Sequence, residues 1–222
     1  MIIHTMDQRS EEWFAVKCGR FSGTDFGKLM PTPKQGPEDF NATQMAIIYR
    51  VAAERLTGLK KGSDWGSAPK DFGVETEDEA RISFILETGL DVQEVGFVEY
   101  SEWVGCSPDG LIGDDEGLEI KCPNSDTHLR YLNRPEDLLD DYRYQCVGGL
   151  LCTGRKRWHL YSYDPRFESE RMRSIHVIIE RDEAEIERLQ ARLDAAIIKV
   201  KSFLINDTQE GESNVRSVKS VW

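Results

Sequence analysis

Two carboxylates and an ammonium lie close together in Ser107-Pro108-Asp109-Gly110 and Gly117-Leu118-Glu119-Ile120-Lys121-Cys122-Pro123. Side chains alternate faces along a strand, so Glu119 and Lys121 point one way while Leu118, Ile120 and Cys122 point into a core. The segment Gly113-Asp114-Asp115-Glu116 has turn composition and is expected to fold Asp109 back beside Glu119. Asp109 and Glu119 then offer oxygen ligands to Mg²⁺ or Mn²⁺, and Lys121 can steady an attacking water or a phosphoryl oxygen. Spacing alone leaves a second reading open. On an exposed strand Glu119 and Lys121 are solvated neighbours; at the edge of a buried sheet the same charges need a partner or a metal.

Several elements must position these groups. Ser10 is placed to cap a short helix carrying Trp13, Val16 and Lys17, with Gly19 as its stop. Ser22 or Thr24 begins a second helix, whose first amides either are simply capped or receive a phosphate. Apolar residues at helical spacing mark helices at about 43–57, 74–88 and 135–151, with Gly58 and Gly89 ending the first two. Segments 31–39 and 60–69 read as loops. Glu77 and Arg81 lie four apart on the 74–88 helix; Glu77 could reach over the sheet to the metal site, but the spacing alone favours a surface salt bridge. Strands at about 95–100, 103–107 and 118–122 are expected at the centre, followed by strands at 157–163 and 173–180. A long final helix from Asp182 carries Ile186, Leu189, Leu193, Ile197, Val200 and Leu204 as a core stripe. The class is α/β, with a mixed central sheet flanked by helices.

The chain has 222 residues and suits one domain at 1–205, followed by a polar tail at 206–222 that a neighbouring subunit could cover. No apolar run approaches the ~18 residues of a membrane span, and the first residues lack a signal-peptide pattern; a cytoplasmic protein is expected. Five cysteines without a Cys-x-x-Cys pair and four histidines without ligand spacing point to reduced thiols and packing roles. A net charge of −12 argues against a generic basic nucleic-acid binder, so any DNA contact must come from a local basic track. Its candidates are Lys60-Lys61, Arg130, Arg143, Arg155-Lys156-Arg157 and Arg166, each of which also suits a solvated face.

Four blocks resemble the phage lambda-type exonucleases, viral recombination enzymes of the PD-(D/E)XK nuclease superfamily. They are Glu12-Trp13…Gly19…Ser22-Gly23-Thr24, then Phe72-Gly73…Glu77-Asp78-Glu79-Ala80-Arg81, then the Ser107-Pro108-Asp109-Gly110 and Glu119-Ile120-Lys121-Cys122-Pro123 pair, and last Tyr163-Asp164-Pro165-Arg166. The third block is specific. The resemblance implies a restriction-endonuclease-like core and a catalytic set of Glu77, Asp109, Glu119, Lys121 and Gln145. It implies that Asp109, Glu119 and the backbone carbonyl of Ile120 hold metal, with two Mg²⁺ ions per site and Mn²⁺ as a substitute.

The resemblance further implies 5′-to-3′ hydrolysis of one strand of linear double-stranded DNA, leaving a 3′ overhang for single-strand annealing. A ring-shaped homotrimer, an annealing protein as partner and a bacterial or phage-infected cell as setting belong to the same implication. Lys17 stands at the family's terminal-phosphate arginine, with Thr24 and Ser107 in the adjacent pocket. An ammonium lacks the bidentate fork of a guanidinium, and Arg20 is the candidate to compensate. Lys70 stands where the family has an apolar strand-separating wedge, for which Trp65 or Pro69 could substitute. Two rival readings keep the fold: a site-specific or structure-specific endonuclease, and a catalytically inactive DNA-binding module.

Overall fold

The computed structural model describes residues 1–59 and 68–205. The expectations for Lys60, Lys61, Trp65 and the 206–222 tail lie outside the described residues, as do those for the side chains of Pro69 and Lys70. The chain begins with β1 (Ile2–His4), α1 (Glu11–Lys17), α2 (Gly23–Leu29), α3 (Ala42–Thr57) and α4 (Ala68–Thr88). The short strands β2 (Val92–Gln93), β3 (Phe97–Glu99), β4 (Gly105–Cys106) and β5 (Gly110–Ile112) lead to β6 (Glu116–Lys121). Two helices, α5 (Ser125–Asn133) and α6 (Pro135–Thr153), precede β7 (Arg157–Tyr163), β8 (Ser174–Glu180) and α7 (Glu183–Ile205).

Local chemistry accounts for several helix ends. Ser10 accepts a hydrogen bond from Trp13 N at 3.2 Å and so caps α1. Asn41 and Gln44 form a reciprocal capping box on α3, and Gly58 ends that helix at φ 67°. Helix α4 starts six residues before the expected 74 because Pro69 falls in its first turn, where a missing N–H breaks no helical bond. Helix α5 was not expected at all; it is short and has a mean composition of polar residues around buried His128 and Tyr131.

Five strands, in the order β2-β5-β6-β7-β8, make the central sheet. Only β6 and β7 run parallel; the other neighbours are antiparallel, so the sheet is mixed, as expected. Strands β3 and β4 do not belong to it. They form a separate three-stranded sheet with β1, in the order β1-β3-β4, which corrects the expectation that 95–100 and 103–107 sit at the centre.

The central sheet is covered on both faces. On one, Ala80 and Phe84 of α4 pack on Ile112, Leu118, Ile120, Tyr161 and Tyr163. On the other, the larger core joins α2, α3, α6 and α7 to Trp158 and Leu160, and includes Ile186, Leu189, Leu193 and Val200 from the α7 stripe. Close approach of α6 to the sheet requires glycine: a Cβ on Gly149 would lie 2.5 Å from the Trp158 ring, and one on Gly117 2.3 Å from it. That approach brings the next turn of α6 over the end of β6. No helix among the described residues is long and apolar enough to cross a membrane.

Candidate active site

The 113–116 turn forms as expected, with Gly113 at φ 48°. Arg155 fastens it by donating to the carbonyls of Ile112, Gly113 and Glu116 at 3.0, 2.8 and 2.7 Å. Gly110 pairs with Leu118 across the hairpin, which sets Asp109 beside Glu119. Asp109 N donates to Leu118 O at 3.1 Å, and Asp109 Oδ2 accepts from Ile120 N at 2.6 Å. Alternation along β6 then separates two environments. Leu118 and Ile120 enter the α4 core, while Glu119, only 3% exposed, turns to the α6 face. There Lys121 Nζ and Gln145 Nε2 of α6 both donate to Glu119 Oε1. The Lys121 ammonium also lies 4.9 Å from the centre of the Tyr142 ring. Asp109, Glu119, Lys121 and Gln145 are therefore brought together. Glu119 is buried and Lys121 half-buried against it, so the two are not solvated neighbours.

Burial raises the proton affinity of Asp109 well above the usual carboxylate range, and the charges of Glu119 and Glu77 add to it against Lys121 and the Ile120 N–H. Glu119 is raised for the same first reason, with Lys121 and Gln145 opposing. Burial works to lower the Lys121 pKa, yet Glu119 and Asp109 outweigh it and hold the ammonium charged. A buried carboxylate, Glu119, and a half-buried one, Asp109, thus face one ammonium, and the oxygen donors suit a hard divalent cation. Among the described residues no group of three or more His, Cys, Asp or Glu side chains is arranged to hold a metal ion. The donors at hand are the carboxylates of Asp109 and Glu119 and the Ile120 carbonyl. A sparse protein shell of this kind fits Mg²⁺, which keeps several waters and binds through one or two carboxylates plus substrate phosphate.

Glu77 approaches from α4, near enough for its charge to raise Asp109, Glu119 and Cys122. It is also an ion-pair partner. Arg81 meets its Oε1 at 3.5 Å and Arg9 its Oε2 at 2.9 Å, so the salt bridge read from the spacing forms on the side of α4 that faces the carboxylates. Arg81 reaches the Asp109 carbonyl as well, at 3.3 Å. Arg9 carried no sequence signal. Nor does the sequence mark Tyr142 as a neighbour of Lys121.

The expected terminal-phosphate group is divided. Trp13 Nε1 donates to Ser107 Oγ and to Gly96 O, each at 2.9 Å, and Lys17 Nζ lies 3.8 Å above the same indole ring. One side chain therefore links Lys17 to Ser107. Thr24 lines a groove of about 540 Å³ with Lys28, Tyr142 and Gln145. Arg20, the candidate to compensate for the missing guanidinium, has partners within the chain. It is committed to Glu99 at 3.0 Å and to the carbonyls of Val16 and Ser101. At the start of α2 the capping alternative prevails: Asp25 accepts from Ser22 N at 2.9 Å and pairs with Arg50 at 2.8 Å, so a carboxylate already occupies the helix end.

Most of the candidate basic track is spent internally. Arg130 pairs with Asp137 and Asp141, Lys156 with Asp115, Arg157 with Glu116 and Glu180, and Arg166 with Asp164. Arg155 is the hairpin fastener described above.

Residues 12–156 match the YqaJ-like viral recombinase domain. Among solved structures, the alkaline exonuclease LHK-Exo from Laribacter hongkongensis is 30% identical, with a TM-score of 0.76 over 89% of this chain and 97% of its own. The same exonuclease in complex with dAMP gives 31% identity and a TM-score of 0.77, covering 89% and 95% of the two chains. A phage-related exonuclease from Haemophilus somnus, 16% identical with a TM-score of 0.69 over 86% and 96%, shares the fold. No curated protein sequence matches. The fold is restriction-endonuclease-like.

Proposed function

We propose, for a chain that belongs to the YqaJ-like viral recombinase domain family, a metal-dependent exonuclease that degrades one strand of linear duplex DNA from its 5′ end and leaves a 3′ overhang for annealing. The observation that carries the reading is the meeting of Asp109, Glu119, Lys121 and Gln145 at the end of one hairpin, over a buried excess of negative charge. The alkaline exonuclease relatives support the nuclease chemistry, and the dAMP bound to one of them is a nucleotide of the size such a reaction releases.

Asp109, Glu119 and the Ile120 carbonyl would hold two Mg²⁺ ions, with Mn²⁺ as a substitute. When bound, the cation neutralises charge on the attacked phosphate and makes water a better nucleophile. The remaining tasks fall to side chains. Lys121, kept charged by Glu119, orients the attacking water or the phosphoryl oxygen. Gln145 fixes the rotamer of Glu119 by donating to Oε1. Glu77, at the rim, accepts a hydrogen bond from the water. Lys17 over Trp13, with Ser107 behind the same indole, is suited to a terminal 5′-phosphate, and Thr24 reaches the approach from the α2 side.

A homotrimeric ring around DNA and a single-strand annealing protein as partner complete the proposal. Incubation of linear duplex and covalently closed circles with Mg²⁺, against a control in EDTA, tests it. Loss of the linear form alone, and only with metal, is expected. Rapid cutting of closed circles would instead make the protein an endonuclease, and no turnover in Mg²⁺ or Mn²⁺ would leave a DNA-binding module.

A further inference from the structure

Arg9 is the one non-glycine residue with positive φ among the described residues, at 71°. An arginine in the left-handed region is strained, and a turn needing only that conformation is better served by glycine or asparagine. The neighbouring residues force the conformation. Gln8 donates to the carbonyls of Val95 and Pro108 at 3.1 and 2.9 Å, which anchors the chain next to Asp109. Ser10 N returns to Asp7 O at 3.3 Å, and its side chain caps α1. Between these anchors Arg9 turns across the mouth of a cavity of about 210 Å³ lined by Thr5, Asp7, Arg81, Glu94 and Asp109. Its side chain stays 34% exposed, so burial does not repay the strain. What the guanidinium gains is Glu77 Oε2, at 2.9 Å. Arg81 holds the other oxygen of the same carboxylate and the Asp109 carbonyl.

We propose that Arg9, which precedes the segment matching the family, is a positioning residue that acts with Arg81 to clamp both oxygens of Glu77 at the rim of the nuclease centre. The inference rests on the nuclease reading and adds to it a group from outside the motif blocks. Its function is orientation, not attraction. A guanidinium beside an acidic site repels the divalent cation, so its removal strengthens metal binding while freeing Glu77 to leave its working position.

The test measures Mn²⁺ binding by calorimetry, single-turnover cleavage of linear duplex and melting temperature in Arg9→Ala, Arg9→Gly, Arg9→Lys and Asp109→Ala. Arg9→Gly relieves the left-handed strain, so it is expected to melt at or above the wild-type temperature, to bind Mn²⁺ several-fold more tightly and to cleave roughly 10–100-fold more slowly. Arg9→Lys retains charge but not the fork, and is expected to restore wild-type Mn²⁺ affinity with only partial recovery of rate. Three results would overturn the proposal: wild-type cleavage by Arg9→Gly; weaker metal binding and slower cleavage that both follow a lowered melting temperature; or a raised KM for DNA with metal affinity and maximal rate unchanged, which would make Arg9 a substrate contact. Asp109→Ala separates the two levels of argument. Its inactivity leaves the nuclease reading standing whatever Arg9 does, whereas full activity would remove that reading itself.

Discussion

Replacing Asp109 by asparagine should stabilise the metal-free protein while destroying its activity. The amide keeps an oxygen for the Ile120 N–H and removes one charge from a buried site shared with Glu119 and Glu77. Lys121 offsets part of that charge, so the gain is the uncompensated remainder, about 1–3 kcal/mol. For a chain of this length each kcal/mol moves the melting temperature by roughly 2–4 °C, giving a rise of about 2–12 °C in EDTA at pH 8.

The pH dependence has a fixed sign. The folded-state pKa of Asp109 is raised, chiefly by burial, so its stability contribution is complete below the unfolded carboxylate value of about 3.9 and is lost as pH climbs through the folded value. Asparagine does not titrate there. The advantage of Asp109→Asn should therefore be largest at pH 8 and shrink toward pH 5. Added Mg²⁺ at about 100 times its dissociation constant should stabilise the wild type by about 2.7 kcal/mol and the variant far less. Scanning calorimetry in EDTA and in Mg²⁺ at both pH values measures all of this. A variant less stable than wild type in EDTA at pH 8, a gain independent of pH, or an undiminished response to Mg²⁺ would refute the reasoning.

The other expectations follow from the same geometry. Glu119→Ala and Lys121→Ala should each abolish cleavage in a folded protein, checked by circular dichroism beside a nuclease assay; Lys121→Ala within a few-fold of wild type would remove the lysine from the chemistry. Ca²⁺ should permit DNA binding with little cleavage, because its larger and looser shell misplaces the water, and activity in Ca²⁺ equal to that in Mg²⁺ would contradict the site. A duplex with 5′-phosphates should be degraded faster than one with 5′-hydroxyls. Lys17→Ala should erase a preference worth about 1.5–3 kcal/mol, and equal initial rates on both ends in the wild type would deny Lys17 that role.

What could be read from the sequence was what local chemistry determines. Alternation alone placed Glu119 and Lys121 opposite Leu118 and Ile120, and the Gly113 turn brought Asp109 into line. The Ser10 cap, the Gly58 stop and the α7 stripe are likewise decided within a few residues. Sheet membership is not. Strands β3 and β4 carry ordinary strand signals, but the partner that draws them out of the central sheet is β1, more than ninety positions away in sequence from β3.

The charged residues illustrate the same limit. Nothing in the composition around Arg20 or Arg157 reveals that each is taken by a carboxylate distant in sequence, Glu99 for one and Glu116 for the other. The left-handed turn at Arg9 has no signature either, since arginine is not a residue that marks positive φ.

The central claim is tested most directly by a linear duplex labelled on one strand at the 5′ end and, in a parallel preparation, at the 3′ end, digested in Mg²⁺ by the wild type and by Asp109→Ala. The wild type should release the 5′ label first as small nucleotides while the 3′ label stays on long strands, and Asp109→Ala should release neither. Early release of the 3′ label, or unchanged digestion by Asp109→Ala, would contradict the account.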